Sequence, residues 1–231
     1  MAKFLIDVDR QSIDRAIISL IEHSAPRFDF FVLVGLSVLM ATLGILADSV
    51  TVIIGSMLIA PLLYPVLSLS MGIIMADGKL IVRSLITISK SLLLGIGLAA
   101  LVTVFLGSTG DPYNRVFLNS IEPSILYLMV AVVSGIAGSI SFLKPQFNEH
   151  LTGVAISVAL IPPVAAIGVG IAEFNFAVAR AASLQFIINI IGIIFASMVI
   201  FSMLNFYQEK TVAKAAVKKE EKEVEKSKNA K

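Results

Sequence analysis

The chain has 231 residues, of which 57% are hydrophobic and only 15% are charged, and its formal net charge is +2 at pH 7. A typical soluble domain is about half apolar and about a quarter charged, so this composition excludes an ordinary soluble domain and predicts an integral membrane domain with polar ends. The absence of cysteine excludes disulfides, thiolate metal sites and cysteine nucleophiles. The sequence also lacks a patch of basic residues interleaved with aromatic residues, so nothing in it suggests that the protein binds nucleic acid.

Residues 1–27 predict a cytoplasmic amphipathic arm. Between residues 9 and 24, apolar side chains recur at helical spacing, while most of the charged side chains fall on other faces. A helix with one apolar face lies on the membrane surface or beneath the membrane domain, and Pro26 interrupts it. The predicted apolar face consists of Ile13, Ala16, Ile17, Leu20, Ile21 and Ser24.

Six apolar segments follow and predict an all-α membrane domain over residues 28–206. Each is near the roughly 20 residues that cross the hydrocarbon core of a bilayer. The second segment would be about 39 Å long as a straight helix, which is too long for a bilayer without tilt or a break. Pro61 and Pro162 lie near the middle of the second and fifth segments, so we expect both helices to be broken at proline. The segments are 28–47, 50–75, 82–106, 124–143, 150–172 and 182–206.

Lysine and arginine predict the orientation. They are concentrated in the N-terminal arm, in residues 79–83, at Lys144 and in the charged tail (residues 207–231), whereas the opposite side carries only Arg115 and Arg180. Cytoplasmic loops carry the excess of Lys and Arg, so both termini are predicted to be cytoplasmic in a multi-pass protein. The charged tail is expected either to extend the sixth helix or to be a disordered, solvated segment.

The two halves of the membrane domain, 28–106 and 124–206, resemble each other. At an offset of 101 residues Asp48 aligns with Glu149, Thr51 with Thr152, Ser56 with Ser157 and Pro61 with Pro162. Past the prolines the offset changes to 97. Three spans in each unit place the second unit in the opposite orientation, so the pattern predicts a 3+3 inverted repeat.

Two broken helices in matching places predict a binding site near the bilayer midplane. A proline frees a backbone carbonyl one turn earlier, and exposed carbonyls can hold a cation. Each feature also has a purely structural interpretation. The prolines could simply kink their helices, the acidic residues could complement helix termini, and the Gln185–Asn189 pair could join two helices by hydrogen bonds. The candidate site residues for an ion or solute are Asp48, Thr51, Ser56, Pro61, Glu149, Thr152, Ser157, Pro162, Pro163 and Asn189.

The sequence carries none of the common enzyme motifs: it has no GxSxG, HExxH, P-loop or GxGxxG. An intramembrane protease dyad of His150 and Ser56 is the weakest alternative. We therefore expect no catalytic residue, no metal and no cofactor. In the fourth span, small residues spaced four apart in SGIAGSIS (residues 134–141) predict close helix packing.

Two motifs resemble a prokaryotic membrane-protein family, domain of unknown function 389. They are IGSMLIAPLLYPVL at residues 54–67, followed by Met71, Gly72 and Asp77, and GVAI with ALIPP at residues 153–163. The resemblance covers about residues 30–205 and implies a location in the cytoplasmic membrane of a prokaryote. The family motif more often has alanine at the position of Ser56, so it does not imply an essential hydroxyl there.

These patterns together predict a small transport protein, either a carrier or an oligomeric ion-conducting pore. Its partners would be membrane lipid, further copies of itself and a small ion or solute. The alternative is a membrane scaffold or partner subunit that does not transport and whose charged tail recruits other proteins.

Overall fold

The computed structural model describes residues 10–107, 124–143 and 160–229, and every regular element in these ranges is helical. The all-α prediction is confirmed for this part of the chain. A short 3₁₀ helix, Phe206–Glu209, stands between the last two α-helices. The α-helices are α1 (Arg10–His23), α2 (Phe28–Leu46), α3 (Val50–Met57), α4 (Leu63–Ile74), α5 (Gly78–Leu106), α6 (Ile125–Leu143), α7 (Ile161–Ala172), α8 (Phe176–Met203) and α9 (Lys210–Asn229).

Three helices, α2, α5 and α8, are long and apolar enough to cross a membrane. Three shorter apolar stretches accompany them: Leu63–Ile74, Ile125–Ser141 and Ile161–Ala172. The second predicted span is divided between α3, with 8 residues, and α4, with 12. Neither piece reaches the roughly 20 residues that cross a bilayer, so a full set of six spans stays a prediction.

The amphipathic helix α1 forms where its periodicity predicts. Its buried side chains are Ile13, Ala16, Ile17, Leu20 and Ile21. The helix packs against α4, α6 and α9, so its apolar face is covered by the protein. Polar contacts at its end fix it to α4, because Ser68 Oγ donates to Ser24 Oγ at 2.8 Å and the rings of His23 and Tyr64 stack at 4.9 Å.

Three helix connections share one turn geometry. Each contains a residue with positive φ, and the N–H of the next residue donates to the carbonyl of a glycine five residues earlier. This hydrogen bond is the one that ends a helix in a Schellman motif. At each glycine an added Cβ would lie within about 3 Å of the helix after the turn, so the two helices approach closely there. The turns are Asp48–Ser49 with Gly44 at 2.8 Å, Ala76–Asp77 with Gly72 at 2.9 Å and Phe174–Asn175 with Gly170 at 2.8 Å.

The helix pattern of the first half recurs in the second. Helices α2 and α6 both have 19 residues, α4 and α7 both have 12, and α5 and α8 have 29 and 28. Helix α7 begins 98 residues after α4, and α8 begins 98 residues after α5. The predicted offset of 101 therefore differs from the spacing of the helices. The offset of 101 aligns Pro61 with Pro162 because both are prolines. In the structure their positions differ, because Pro61 lies two residues before α4 whereas Pro162 is the second residue of α7.

Small residues set the closest helix crossings. An added Cβ at Gly168 would lie 2.5 Å from the Ala99 side chain and 2.7 Å from the Ile96 carbonyl oxygen, so α7 and α5 touch through their backbones. Helices α6 and α8 approach in the same way at Gly135 and Gly192. The fourth span thus packs closely through one of the small residues of its predicted motif.

The charged tail adopts a structure that neither sequence-based alternative describes. Asn205 has φ of 58° and turns the chain after α8, so α9 does not continue that helix. Instead α9 packs against α1. Arg27 donates to Glu220 at 2.7 Å and to Glu223 at 2.8 Å. The hydrogen bond to Glu220 raises the pKa of Arg27 above its ordinary value, so this guanidinium stays charged.

Candidate functional site

The interval between α3 and α4 (residues 58–62), here called the α3–α4 break, is an irregular stretch of backbone within the second predicted span. Helix α3 closes with short i→i+3 bonds, because Leu58 N–H donates to Gly55 O at 3.2 Å and Ile59 N–H donates to Ser56 O at 3.3 Å. The next carbonyls, of residues 57–60, accept no hydrogen bond from any residue that the structure describes. Pro61 contributes to this, since it lacks the N–H that would pair with Met57 O in a continuous helix.

Ser56 is fully buried at the end of α3. Its hydroxyl donates to Ile53 O at 2.6 Å, within its own helix. Its carbonyl accepts a second hydrogen bond, at 2.5 Å, from the hydroxyl of Ser37 on α2. The Ser56 hydroxyl is therefore engaged one turn before the break, and the carbonyl is the atom that joins α3 to α2.

Ser37 is a site residue that the sequence did not single out. It is a lone hydroxyl in a long apolar span, and nothing in its spacing distinguishes it from a hydroxyl that bonds its own helix. From the sequence, the helical periodicity of α2 could have predicted only that Ser37 is buried, as the structure shows it to be. The bond to Ser56 O depends on how α2 and α3 pack, which no local pattern encodes.

Asp48 and Thr51 lie at the far end of α3 from the break. Asp48 is exposed in the turn before the helix, with φ of 47°, and its side chain makes no hydrogen bond with the described residues. Thr51 is exposed in the first turn of α3. Five residues of helix, or about 8 Å of rise, separate Thr51 from Ser56. The structure therefore does not bring these two residues to the buried part of the candidate site.

Pro162 and Pro163 are buried in the first turn of α7. A proline in this turn removes no helical hydrogen bond, because the first N–H groups of a helix have no partner within it. Helix α7 contacts α2 and α3, so this turn belongs to the same helix group as the break. The other candidates of the second half, Glu149, Thr152 and Ser157, lie outside the described residues.

A buried amide pair lies on α8. Gln185 Nε2 donates to Asn189 Oδ1 at 3.1 Å within the helix, and the Gln185 Oε1 atom is buried without a hydrogen-bond partner in the described part of the chain. Helix α5 carries a corresponding pair 98 residues earlier, since Thr87 and Ser91 are both fully buried. Their hydroxyls donate to carbonyls of their own helix, whereas Gln185 Oε1 is a buried acceptor without a hydrogen-bond partner among the described residues.

The chemistry of these groups is that of neutral oxygen acceptors. They are backbone carbonyls at the break and one amide oxygen on α8. Within the described ranges, no three His, Asp or Glu side chains lie close enough to hold a metal ion. Two open cavities, of about 670 and 640 Å³, lie elsewhere, between α5 and α9.

Comparison with known proteins identifies the family. The family model for "Domain of unknown function (DUF389)" matches residues 57–195, which include the break, α7 and the amide pair. An uncharacterized protein of Methanocaldococcus jannaschii is 36% identical over 171 residues, covering 72% of this chain and 51% of that protein. The chain thus spans about half the length of this curated relative. No solved structure matches the chain. The resemblance predicted from the two motifs is confirmed: the chain belongs to the DUF389 family.

Proposed function

We propose that the protein is a small multi-pass transport protein of a prokaryotic cytoplasmic membrane, with both termini in the cytoplasm. Its substrate would bind at the α3–α4 break. The observation that carries this proposal is the run of carbonyls at residues 57–60, which accept no hydrogen bond from the described residues. The full protein's substrate and partners are part of the same proposal.

The cost of open backbone in lipid supports a role for the break. In hydrocarbon each unpaired backbone group costs several kcal/mol. Irregular backbone at membrane depth is tolerated where it is buried in protein or lines a cavity that holds water or substrate. A simple kink needs only one freed carbonyl, whereas four consecutive carbonyls here accept no hydrogen bond from the described residues. The backbone at the break therefore favours a binding role over a kink.

The acceptors at the site favour a particular class of substrate. Carbonyl and amide oxygens bind a small cation or a neutral solute that donates hydrogen bonds, and they repel an anion. The Gln185 Oε1 atom on α8 offers a further acceptor of the same kind. Helix α8 packs against α4, whose first residue follows the break. We therefore propose a cation or a neutral donor-bearing solute.

The proposed inverted repeat accounts for the pairs of helices that pack together. If α2, α4 and α5 are equivalent to α6, α7 and α8, the α2–α5 contact corresponds to α6–α8, and α5–α7 corresponds to α8–α4. Both members of each pair are in contact. Gly95 and Gly192 align at the predicted offset of 97: an added Cβ at Gly192 would meet only α6, whereas one at Gly95 would lie 2.7 Å from Val164 on α7 and 3.2 Å from Val38 on α2. Alternating access in such proteins uses two repeats that move against each other.

Homo-oligomers are part of the proposal. Val50 and Ile54 on one face of α3, and Leu58 directly after the helix, are exposed at 52%, 45% and 55%. Lipid or a second copy of the chain would cover this face. The alternative hypothesis, a scaffold that recruits proteins through its charged tail, has less of the tail to use, because α9 packs against α1 of its own chain.

The test is substrate flux in proteoliposomes, screened over monovalent and divalent cations and small neutral solutes. Replacing Pro61 with alanine supplies the missing N–H, allows α3 to continue and closes carbonyls of the break. We expect this variant to lose most of its flux, by tenfold or more, while its thermal stability in detergent is equal or higher.

Pro65→Ala is the matched control. Pro65 is the third residue of α4, where a proline removes no helical bond, so this change should leave flux intact. Unchanged flux in Pro61→Ala would falsify the binding role of the break. No flux of any tested solute in the unmodified protein would favour the scaffold alternative.

A further inference from the structure

The cavity of about 640 Å³ between α9 and the α4–α5 turn, here called the lysine cavity, is lined by four lysines. Lys210, Lys214 and Lys218 lie one turn apart on α9, and Lys79 lies opposite them in the first turn of α5. Like charges four residues apart on a helix destabilise it, and the fold adds a fourth charge from a second helix. A cluster of this kind is stable when an anion binds between the charges.

These lysines have no ion-pair partner among the residues that the structure describes. Lys79, Lys214 and Lys218 form no ion pair with any described residue, and Lys210 Nζ donates to a neutral acceptor, Ala76 O, at 2.9 Å. The lining contains two carboxylates, those of Asp77 and Glu221.

One of these carboxylates is already used. Asp77 Oδ1 accepts hydrogen bonds from the backbone N–H groups of Lys79 and Leu80, at 3.0 and 3.3 Å, and so caps α5. Glu221 is exposed. The lining of the lysine cavity therefore holds four ammonium groups and only one carboxylate, that of Glu221, which does not cap a helix.

On the opposite side of α9, charged side chains form ion pairs that hold the helix to the rest of the protein. There Glu220 and Glu223 pair with Arg27, and Lys219 lies 3.8 Å from Glu22. The charges toward α1 and α2 have ion-pair partners, whereas the lysines toward the cavity have no ion-pair partner among the described residues. The unpaired lysines thus form a defined set on one side of α9.

The position of the cavity indicates where its ligand comes from. Lys79 lies at the start of α5, one of the helices apolar enough to cross a membrane. A second groove, of about 670 Å³, shares Lys79 and Glu221 with the lysine cavity and continues along Val82 and Ile86, which are 55% and 46% exposed. An ammonium cluster beside an exposed apolar stripe matches a charged headgroup joined to an acyl chain.

We propose that the lysine cavity binds the phosphate headgroup of an anionic membrane lipid, whose chain lies along Val82 and Ile86 on α5. Lysines near a membrane surface each contribute to the attraction of anionic lipids, and four that converge on one cavity select a phosphate with net negative charge. The bound lipid joins α9 to α5 and neutralises the repulsion among the lysines. This proposal does not depend on transport.

The test measures lipid binding to the purified full chain in detergent by native mass spectrometry. The probes are phosphatidylglycerol, phosphatidylcholine and inorganic pyrophosphate. We expect phosphatidylglycerol to bind with defined stoichiometry, phosphatidylcholine to bind much more weakly and pyrophosphate to compete poorly. The variant K214Q/K218Q should weaken phosphatidylglycerol binding by roughly 30-fold, since each lysine near the surface contributes a factor of about five.

The matched control is K219Q/K222Q, which removes the same charge from the same helix at positions that do not line the cavity. It should bind phosphatidylglycerol as the unmodified protein does. If K214Q/K218Q does not fold, K79Q removes a lysine from the other wall and should weaken binding about fivefold. Equal binding of the two lipids, equal losses in test and control variants, or unchanged binding in K214Q/K218Q and K79Q would each overturn the proposal. Pyrophosphate that binds as tightly as the lipid would assign the cavity to a soluble phosphate and overturn it as well.

Discussion

Helices α4 and α7 have the same length and begin beside prolines, yet the prolines act differently. In the first half Pro61 lies before α4 and keeps it apart from α3, while Pro65 is its third residue. In the second half Pro162 and Pro163 are the second and third residues of α7. Pro65 and Pro163 are therefore both the third residue of their helices, and neither proline of α7 corresponds to Pro61. A proline inside the first turn marks where a helix starts, whereas a proline before it separates two helices.

The same two helices also differ in how closely they pack. Gly168 brings α7 into backbone contact with α5. The residue 98 positions earlier is Ser70, whose buried hydroxyl donates to Val66 O at 3.1 Å within α4. The second half is therefore built on contact between backbones at a position where the first half carries a side chain that bonds its own helix.

The largest expected effect tests this difference in packing. Gly168→Ser would place a side chain against the Ile96 carbonyl, which cannot move without displacing α5, so we expect a loss of about 3 kcal/mol in the free energy of unfolding. Ser70→Ala removes only a bond within one helix and should cost at most about 1 kcal/mol. Reversible unfolding in detergent, followed by circular dichroism, measures both. Equal losses would show that the two crossings are equally tight.

A smaller effect concerns the ends of the shared turns. Asp77 accepts two N–H bonds at the start of α5, Asn175 accepts one from Val178 at 3.3 Å at the start of α8, and Ser49 makes no side-chain cap bond to α3. Replacement by alanine should cost about 1.5 kcal/mol at Asp77, about 1 kcal/mol at Asn175 and near zero at Ser49. The same unfolding measurement on the three variants checks this order. A cost at Ser49 as large as that at Asp77 would contradict it.

The smallest effect has opposite signs at the two prolines. Pro162→Ala gains no helical bond and makes the unfolded chain more flexible, so it should destabilise the protein by about 0.5 kcal/mol. Pro61→Ala supplies an N–H to an open carbonyl and should stabilise the protein by about 1 kcal/mol in spite of the same entropic cost. Melting temperatures of both variants in one detergent decide the sign. Shifts in the same direction would remove the distinction between the two prolines.

Several features follow from local pattern alone. The apolar face of α1 is predicted residue by residue, because a helix with one apolar side can bury only that side. The close approach of the fourth span at Gly135 follows from its small residues. The shared turns also have a common sequence pattern, which we did not use as a prediction: Gly-Ile, then three further residues, then Ser, Asp or Asn, beginning at Gly44, Gly72 and Gly170.

Other features depend on contacts between distant residues. Alternating Lys and Glu predicts that the charged tail can form a helix, but its direction is set by the left-handed turn at Asn205 and by pairing with Arg27, 193 residues away from Glu220. At the candidate site, the break follows from Pro61, whereas the bond between Ser37 and Ser56 O requires the packing of α2 on α3. Asp48 and Thr51 were predicted from their position at the start of the broken span, and the structure places them at the other end of α3 from the break, about 8 Å of helix rise before Ser56.

The pairing of Arg27 with Glu220 also sets an order in time. The 193 residues that follow Arg27, up to and including Glu220, take about 10 to 40 seconds to synthesise at 5–20 residues per second. During that interval α1 has emerged from the ribosome without α9, one of the helices that cover it. The apolar face of α1 lacks this cover meanwhile, and the packing of α9 on α1 is completed only after α8 has been made.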